Sequence, residues 1–222
     1  MEDKIKLIKK LDAISANVDC PHTQYEIMSF IENLFNIPKD IKGCIVEAGC
    51  YKGGSTAKFS LAAKMVNRKL VVFDSFEGLP KNSEQHGENI FGDKIKIGAF
   101  TEGKYCGTLK EVKKNVNKFG EIEVCQFIKG WFKDIMPKFS GPIVAIYLDV
   151  DLASSTRTCL KYLYPLLIPG GILYSQDGHL PLVIDVFNDD IFWKKEVGCS
   201  KPQIRSIGKK KLIKIVKPNL LK

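Results

Sequence analysis

The sequence predicts a three-layer α/β fold: a mostly parallel sheet of seven strands, helices on both faces, and an antiparallel C-terminal hairpin. Three observations carry that expectation. Short apolar runs (GCIVEAG, KLVVFDS, EIEVCQFIKG, IVAIYLDVD and PGGILYSQD) recur along the chain, most of them separated by helical patterns. Alternation of this kind resolves as parallel strands joined by right-handed crossovers. The last segment, QIRSIGKKKLIKIVK, breaks the alternation with two strand-like runs around Gly208. At 222 residues and 45% apolar, the chain is also long enough to bury the core of one good-sized domain.

Taken in order, residues 1–40 read as an N-terminal helical extension and 41–222 as the main domain. IKLIKKLDAI spaces its apolar residues three and four apart. TQYEIMSFIENLF repeats the pattern after Pro21 and His22, with Thr23 as its cap, and Pro38 ends it. Strand one, GCIVEAG, runs into glycines, and GSTAKFSLAAKMV is the next helix. KLVVFDS is strand two. Residues 77–106 are polar, glycine-bearing and too loose for one regular element, so they read as a lid or binding loop. TLKEVKKNVNKF is a helix with lysines on its wet face. Strands three and four are EIEVCQFIKG and IVAIYLDVD, and STRTCLKYLYPLLI is a helix. PGG turns the chain into strand five, ILYSQD, and LPLVIDVFNDDIFWKK is the last helix before the hairpin.

Composition narrows the function classes. No run approaches eighteen apolar residues, so no membrane span is expected, and the N-terminus lacks the features of a secretion signal. The seven cysteines are scattered and form no CxxC, which argues against a zinc knuckle or dithiol pair and favours a reducing, cytoplasmic setting. The net charge of +9 comes almost wholly from lysine, since Arg68, Arg157 and Arg205 are the only arginines among 34 basic residues. Base readers and phosphate forks lean on arginine. A solvated lysine surface is therefore expected, and nucleic acid is not.

Ligands of such sheets collect beyond the carboxyl ends of the strands. After strand one, Gly49 makes a turn, and Gly53 and Gly54 permit close approach to a helix start. Tyr51 breaks a GxGxxG pattern, and no P-loop is present. Glu47 either faces a cationic ligand or braces the loop. Asp74 ends strand two, 25 residues beyond Gly49, where a carboxylate can accept both hydroxyls of a ribose. Ser75 comes next, and Phe76 and Leu79 are placed to line the same pocket. Trp131 and Phe132, beyond strand three, flank an adenine, shape an acceptor cleft or pack the core. Asp149 and Asp177 end strands four and five, and with Gln176 they form an oxygen-rich set suited to Mg²⁺ or Ca²⁺. Asp151 joins that set or caps the next helix. His179, two residues past Asp177, is the candidate proton acceptor, with His22 and His86 less well placed.

Five segments, VEAGCYKGGS, VVFDSFEGLP, IKGWFKDIMP, YLDVDLASST and LYPLLIPGGILYSQD, occur in the order found in TylF/MycF-type sugar O-methyltransferases, related to macrocin O-methyltransferase. Residues 40–185 resemble that family. The resemblance implies a Rossmann-like class I methyltransferase fold and S-adenosyl-L-methionine as methyl donor. It places Glu47 and Gly49 in the donor loop and Asp74 on the ribose, and Tyr51, Gly53, Ser55, Ser75, Trp131 and Asp149 complete the expected donor site. It further implies Mg²⁺ on Asp149 and Asp177, to which the residue reading adds Gln176; Asp149 and His179 are the candidate catalytic residues, with no family position matching His179. The implied acceptor is a hydroxyl of a sugar or glycosylated small molecule, and the implied assembly a homodimer. The chain departs from the pattern at Val150, Ala153 and Ser154, and has Gln176 where the family has an acid. Two other readings share these residues: a glycosyltransferase holding a nucleotide sugar through Asp149 and Asp151, and a non-catalytic nucleotide-binding protein.

Overall fold

The computed structural model describes residues 2–219, with side chains from residue 5 onward. Met1 and residues 220–222, which belong to the two expected segments, lie outside it. The chain opens with helices α1 (Glu2–Asn17) and α2 (Gln24–Phe35), then β1 (Cys44–Ala48), α3 (Gly54–Met65) and β2 (Leu70–Asp74). It continues through α4 (Leu109–Phe119), β3 (Cys125–Lys129), α5 (Phe132–Ile135), β4 (Ile143–Leu148) and α6 (Ala153–Leu163). It ends with β5 (Leu167–Ser175), α7 (Pro181–Asn188), the single turn α8 (Asp190–Phe192), β6 (Ile204–Arg205) and β7 (Ile213–Val216).

The seven strands form one sheet in the order β3-β2-β1-β4-β5-β7-β6. All pairs from β3 to β5 are parallel, and β7 runs antiparallel to both β5 and β6. From β1 the chain winds outward to β3, then returns to lay β4 on the other side of β1. That reversal opens a crevice beyond the carboxyl ends of β1 and β4. The apolar runs predict these strands because both faces are covered: all six residues of β4 are buried. Alternate side chains feed two cores. Tyr147 packs with Phe30 of α2, Phe59 of α3 and Val112 of α4 on one face, while Ile146 and Leu148 pack with Leu160 of α6 and Phe187 of α7 on the other.

Local chemistry sets the elements that position the site. Thr23 Oγ1 accepts the Glu26 N–H at 3.3 Å, and Glu26 Oε2 accepts the Thr23 N–H at 2.7 Å. This reciprocal cap, worth about 1 kcal/mol, fixes where α2 starts. The connector carrying Cys20, Pro21 and His22 is thereby held against the sheet edge. Arg68 donates to the carbonyls of Pro38, Ile41 and Gly43 and ties the exit of α2 to the entry of β1. In α4, Val112 and Val116 are buried one turn apart while the lysines face outward.

The structure departs from the sequence reading in four places. The helix expected through Ile168 stops at Leu163, because Pro165 forces a tighter turn over Tyr164–Leu166. Pro169-Gly170-Gly171 lies inside β5: Ile143 pairs with Leu167 but Ala145 with Ile172, so the extra residues bulge out. The helix read from LPLVIDVFNDDIFWKK breaks at Asp189, whose side chain caps the next turn by accepting the Phe192 N–H. Helical turns at 132–138, after β3, had no counterpart in the sequence reading.

Candidate active site

Gly49 leaves β1 at φ +82°, and a Cβ there would meet the Asp149 carbonyl oxygen at 1.9 Å. No other residue type fits this turn between the two central strands. Asp74 organises the loops on either side of it. Its Oδ2 accepts the Cys50 N–H at 2.8 Å, and its Oδ1 accepts the Phe76 N–H at 2.7 Å. One carboxylate thus fixes the loops after both β1 and β2, and each oxygen keeps a lone pair for a ligand hydroxyl. Burial raises its pKa, against the backbone hydrogen bonds that lower it. Tyr51, Phe76 and Asp151 take φ of +47°, +56° and +59° just beyond β1, β2 and β4. Left-handed backbone in non-glycine residues is costly, and it concentrates here at the sheet edge that carries the cavity.

Glu47 lies behind this turn. It is fully buried and accepts hydrogen bonds from Ser55 Oγ and Thr56 Oγ1, both at 2.6 Å. Burial pushes its pKa up to about 7 against those two donors. The carboxylate braces the start of α3, and neither Glu47 nor Ser55 lines the cavity. Gly53, at φ +82°, packs against Val112 of α4 and also stays outside the cavity.

A second group of acids converges beyond β4 and β5. Asp149, Asp151 and Asp177 each bring a carboxylate oxygen within 4.8 Å of the others. Asp177 is 1% exposed, and its Oδ2 accepts the N–H groups of Val150 and Asp151 at 3.0 and 3.1 Å. Burial, then the charge of Asp149, pushes its pKa to about 7. Burial and the same neighbours raise Asp151 well above the usual carboxylate range. Asp149 goes the other way. Burial opposes its charge, but His22 outweighs burial and lowers the pKa. His22 Nε2 lies 3.1 Å from Asp149 Oδ2, an ion-pair contact off the axis of a good hydrogen bond. Despite burial, Asp149 lifts the imidazole pKa to about 10. Acids that raise one another's pKa are short of positive charge, so these three suit a divalent cation.

These groups wall one cavity of about 600 Å³. Gly49, Tyr51, Asp74, Ser75, Trp131, Asp149, Asp177 and His179, all proposed from sequence, line it together. Gln176 does not: its Oε1 accepts the hydroxyl of buried Tyr147 at 2.9 Å, and its Nε2 is buried without a partner. Asp151 supplies the third acid in its place. Asp151 is not the cap of α6 either. Glu84, from the long 77–106 loop, accepts the N–H groups of Ala153 and Ser154 at 2.7 and 2.9 Å. That loop is strapped over the site, with the Ile90 N–H on the His179 carbonyl and Leu79, Phe100 and Tyr105 in the cavity wall. His179 Nδ1 has no hydrogen-bond partner, and burial and Lys211 lower its pKa.

Sequence reasoning ranked His22 low and missed Lys211, Glu84 and the connector residue Pro21: Lys211 and Pro21 line the cavity, His22 meets Asp149, and Glu84 caps α6. Nothing local pairs His22 with Asp149. Only the helix break at Cys20-Pro21-His22, which aims a loop at the sheet edge, could have pointed to it.

The profile of the family described as Macrocin-O-methyltransferase (TylF) matches residues 26–190. Among relatives, 8-demethyl-8-(2,3-dimethoxy-alpha-L-rhamnosyl)-tetracenomycin-C 4'-O-methyltransferase of Streptomyces olivaceus is 29% identical over 168 residues, covering 73% of this chain and 62% of the relative. Mycinamicin III 3''-O-methyltransferase of Micromonospora griseorubida is 30% identical over 147 residues, covering 64% of this chain and 57% of the relative. The matched segment is thus under two thirds of the length of either relative. Among solved structures, the O-methyltransferase NovP superposes with a TM-score of 0.69 at 22% identity, over 88% of this chain and 79% of that one. CalS11, a calicheamicin methyltransferase, does so at 0.66 and 17% identity, over 97% and 93%. At these identities the structures speak for the fold.

Proposed function

The chain belongs to the macrocin O-methyltransferase (TylF) family, and on that premise we propose that it is an S-adenosyl-L-methionine-dependent O-methyltransferase acting on a hydroxyl of a sugar or glycosylated small molecule. The observation that carries the proposal is the shared cavity. A carboxylate-and-glycine cradle at β1–β2 opens directly onto the acids at β4–β5. The tetracenomycin and mycinamicin relatives are named for O-methylation of a rhamnosyl-tetracenomycin and of mycinamicin III, which supports a glycosylated acceptor.

In this reading Asp74 and Ser75 hold the ribose hydroxyls, and the Gly49 turn lets the donor approach the backbone. Tyr51 and Trp131 flank the adenosyl group. Glu47, Ser55 and Gly53 act from behind by holding the loop and α3 in register. Asp149, Asp151 and Asp177 would hold Mg²⁺, which would supply a Lewis acid that orients two acceptor hydroxyls and lowers the pKa of one. The methyl donor supplies an already activated sulfonium carbon, so the chain's part is orientation and proton transfer. His22 keeps Asp149 ionised. His179, which lines the cavity and stays neutral near pH 7 because burial and Lys211 lower its pKa, receives the hydroxyl proton. The strapped 77–106 loop and Pro21 exclude water. No helix of the described residues is long and apolar enough to cross a membrane, and free thiols at all seven cysteines favour a cytoplasmic, small-molecule enzyme. A homodimer is the assembly we expect.

The test is a panel of free, nucleotide-activated and aglycone-linked sugars incubated with S-adenosylmethionine and Mg²⁺. The product must gain the mass of one methylene with matching S-adenosylhomocysteine. Sugar transfer from a nucleotide sugar, with no methylation across the panel, would establish the glycosyltransferase reading instead.

A further inference from the structure

Behind Asp149 a line of side chains runs away from the cavity into the N-terminal helices. Asp149 Oδ2 meets His22 Nε2 at 3.1 Å, His22 Nδ1 meets Cys20 Sγ at 3.2 Å, and Cys20 Sγ meets Lys58 Nζ at 3.4 Å. With Cys20 as a thiolate, charge alternates along the whole line. A thiolate at Cys20 gives Lys58 its counter-charge. Lys58 is 1% exposed, and Cys20 Sγ is the one hydrogen-bond partner of its ammonium among the described residues. An ammonium taken out of water costs several kcal/mol unless a counter-charge meets it. A neutral thiol would leave Lys58 uncompensated.

Cys20 is also the cysteine whose surroundings favour reaction. Burial raises its pKa, but the hydrogen bond and charge of His22 and the charge of Lys58 outweigh this and lower it. It is partly exposed on the connector between α1 and α2. Burial instead pushes up the thiols of Cys44, Cys50, Cys125, Cys159 and Cys199. Cys106 is exposed, and its sulfur faces the Phe76 carbonyl at 3.8 Å.

We propose that Cys20 and Lys58 form a peroxide-sensitive modification site, in which a hydroperoxide oxidises the Cys20 thiolate and the Lys58 amine captures the oxidised sulfur. Sγ attacks one peroxide oxygen, so that an S–O bond forms and the O–O bond breaks. The departing hydroxide takes a proton from Lys58 Nζ and leaves as water. Sulfur loses two electrons, the peroxide gains them, and Cys20 becomes a sulfenic acid. The freed amine then attacks the sulfenic sulfur 3.4 Å away. An S–N bond forms, the S–O bond breaks, and a second water leaves. The net change is the loss of two hydrogens and of the charges on Cys20 and Lys58. Because the same connector presents His22 to Asp149 and Pro21 to the cavity, the link bears on the site, but its formation does not depend on the methyl-transfer reading.

Peptide mapping of the wild-type chain after graded hydrogen peroxide, with alkylation of the remaining thiols, tests this. The expected result is a covalent link between the Cys20 and Lys58 peptides, lighter by two hydrogens and reversed by dithiothreitol. Cys20, between His22 and Lys58, should be consumed about tenfold faster than the exposed Cys106. In folded Lys58→Met the link disappears, and a dimedone adduct on Cys20 takes its place. Cys20 staying fully alkylatable while Cys106 oxidises, or oxidation of Cys20 without a link to Lys58 in the wild type, overturns the proposal.

Discussion

At the β1–β2 half of the sheet edge, Glu47 gives both oxygens to Ser55 and Thr56, and Asp74 gives both to backbone N–H groups. At the β4–β5 half, the Asp151 side chain has no hydrogen bond among the described residues, and Asp177 uses one oxygen for two N–H groups. Asp149 depends on His22 for its charge. Both halves carry buried acids, yet they do different work. The first spends its carboxylates on holding two loops and a helix in one shape. The second keeps carboxylates crowded, under-neutralised and open to the cavity. A preorganised cradle suits a bound nucleoside, and unspent charge suits a cation or a moving proton.

The largest effect expected from breaking this contrast is at Asp149. Asp149→Asn removes the charge that His22 and the cation share, and methyl transfer should fall by about 10²–10³-fold. Steady-state rates with the acceptor found by the sugar panel check this, and full activity would dissolve the distinction between the halves. Glu47→Gln probes the first half through pH. The folded state raises Glu47 from 4.5 to about 7, so folding favours the protonated carboxyl. That contribution is complete below about pH 4.5 and is lost as pH rises through 7. Between pH 5 and 8 the wild type should lose up to about 3 kcal/mol relative to Glu47→Gln, read by urea denaturation of the two chains side by side. A constant difference would mean that Glu47 stays ionised. The smallest effect is the cation's. Saturating Mg²⁺ should raise the wild-type melting temperature by about 4–8 °C, and Asp151→Asn/Asp177→Asn should abolish that rise.

The two halves were also unequally legible in the sequence. Gly49, Asp74, Asp149 and Asp177 stand at strand ends, where local pattern places them, and the structure gathers them around one cavity. Local sequence leaves Glu47 open between ligand and brace and the resemblance assigns it to the donor; only the fold reveals that Ser55 and Thr56, at the start of the next helix, face back onto it. His22, Glu84 and Lys211 act across long sequence separations, from a connector, a loop and a hairpin. Periodicity and spacing record contacts within an element, not between such segments. The β5 bulge escaped for a related reason: Pro169-Gly170-Gly171 spells a turn, and only pairing with β4 keeps it inside the strand.

Calorimetric titration of S-adenosylmethionine into the wild type and Asp74→Ala bears most directly on the account. It predicts saturable one-to-one binding that weakens by about 10²–10⁴-fold in the variant, as the loss of two charge-assisted hydrogen bonds implies. No binding to the folded wild type, or equal affinity in the two chains, would contradict it.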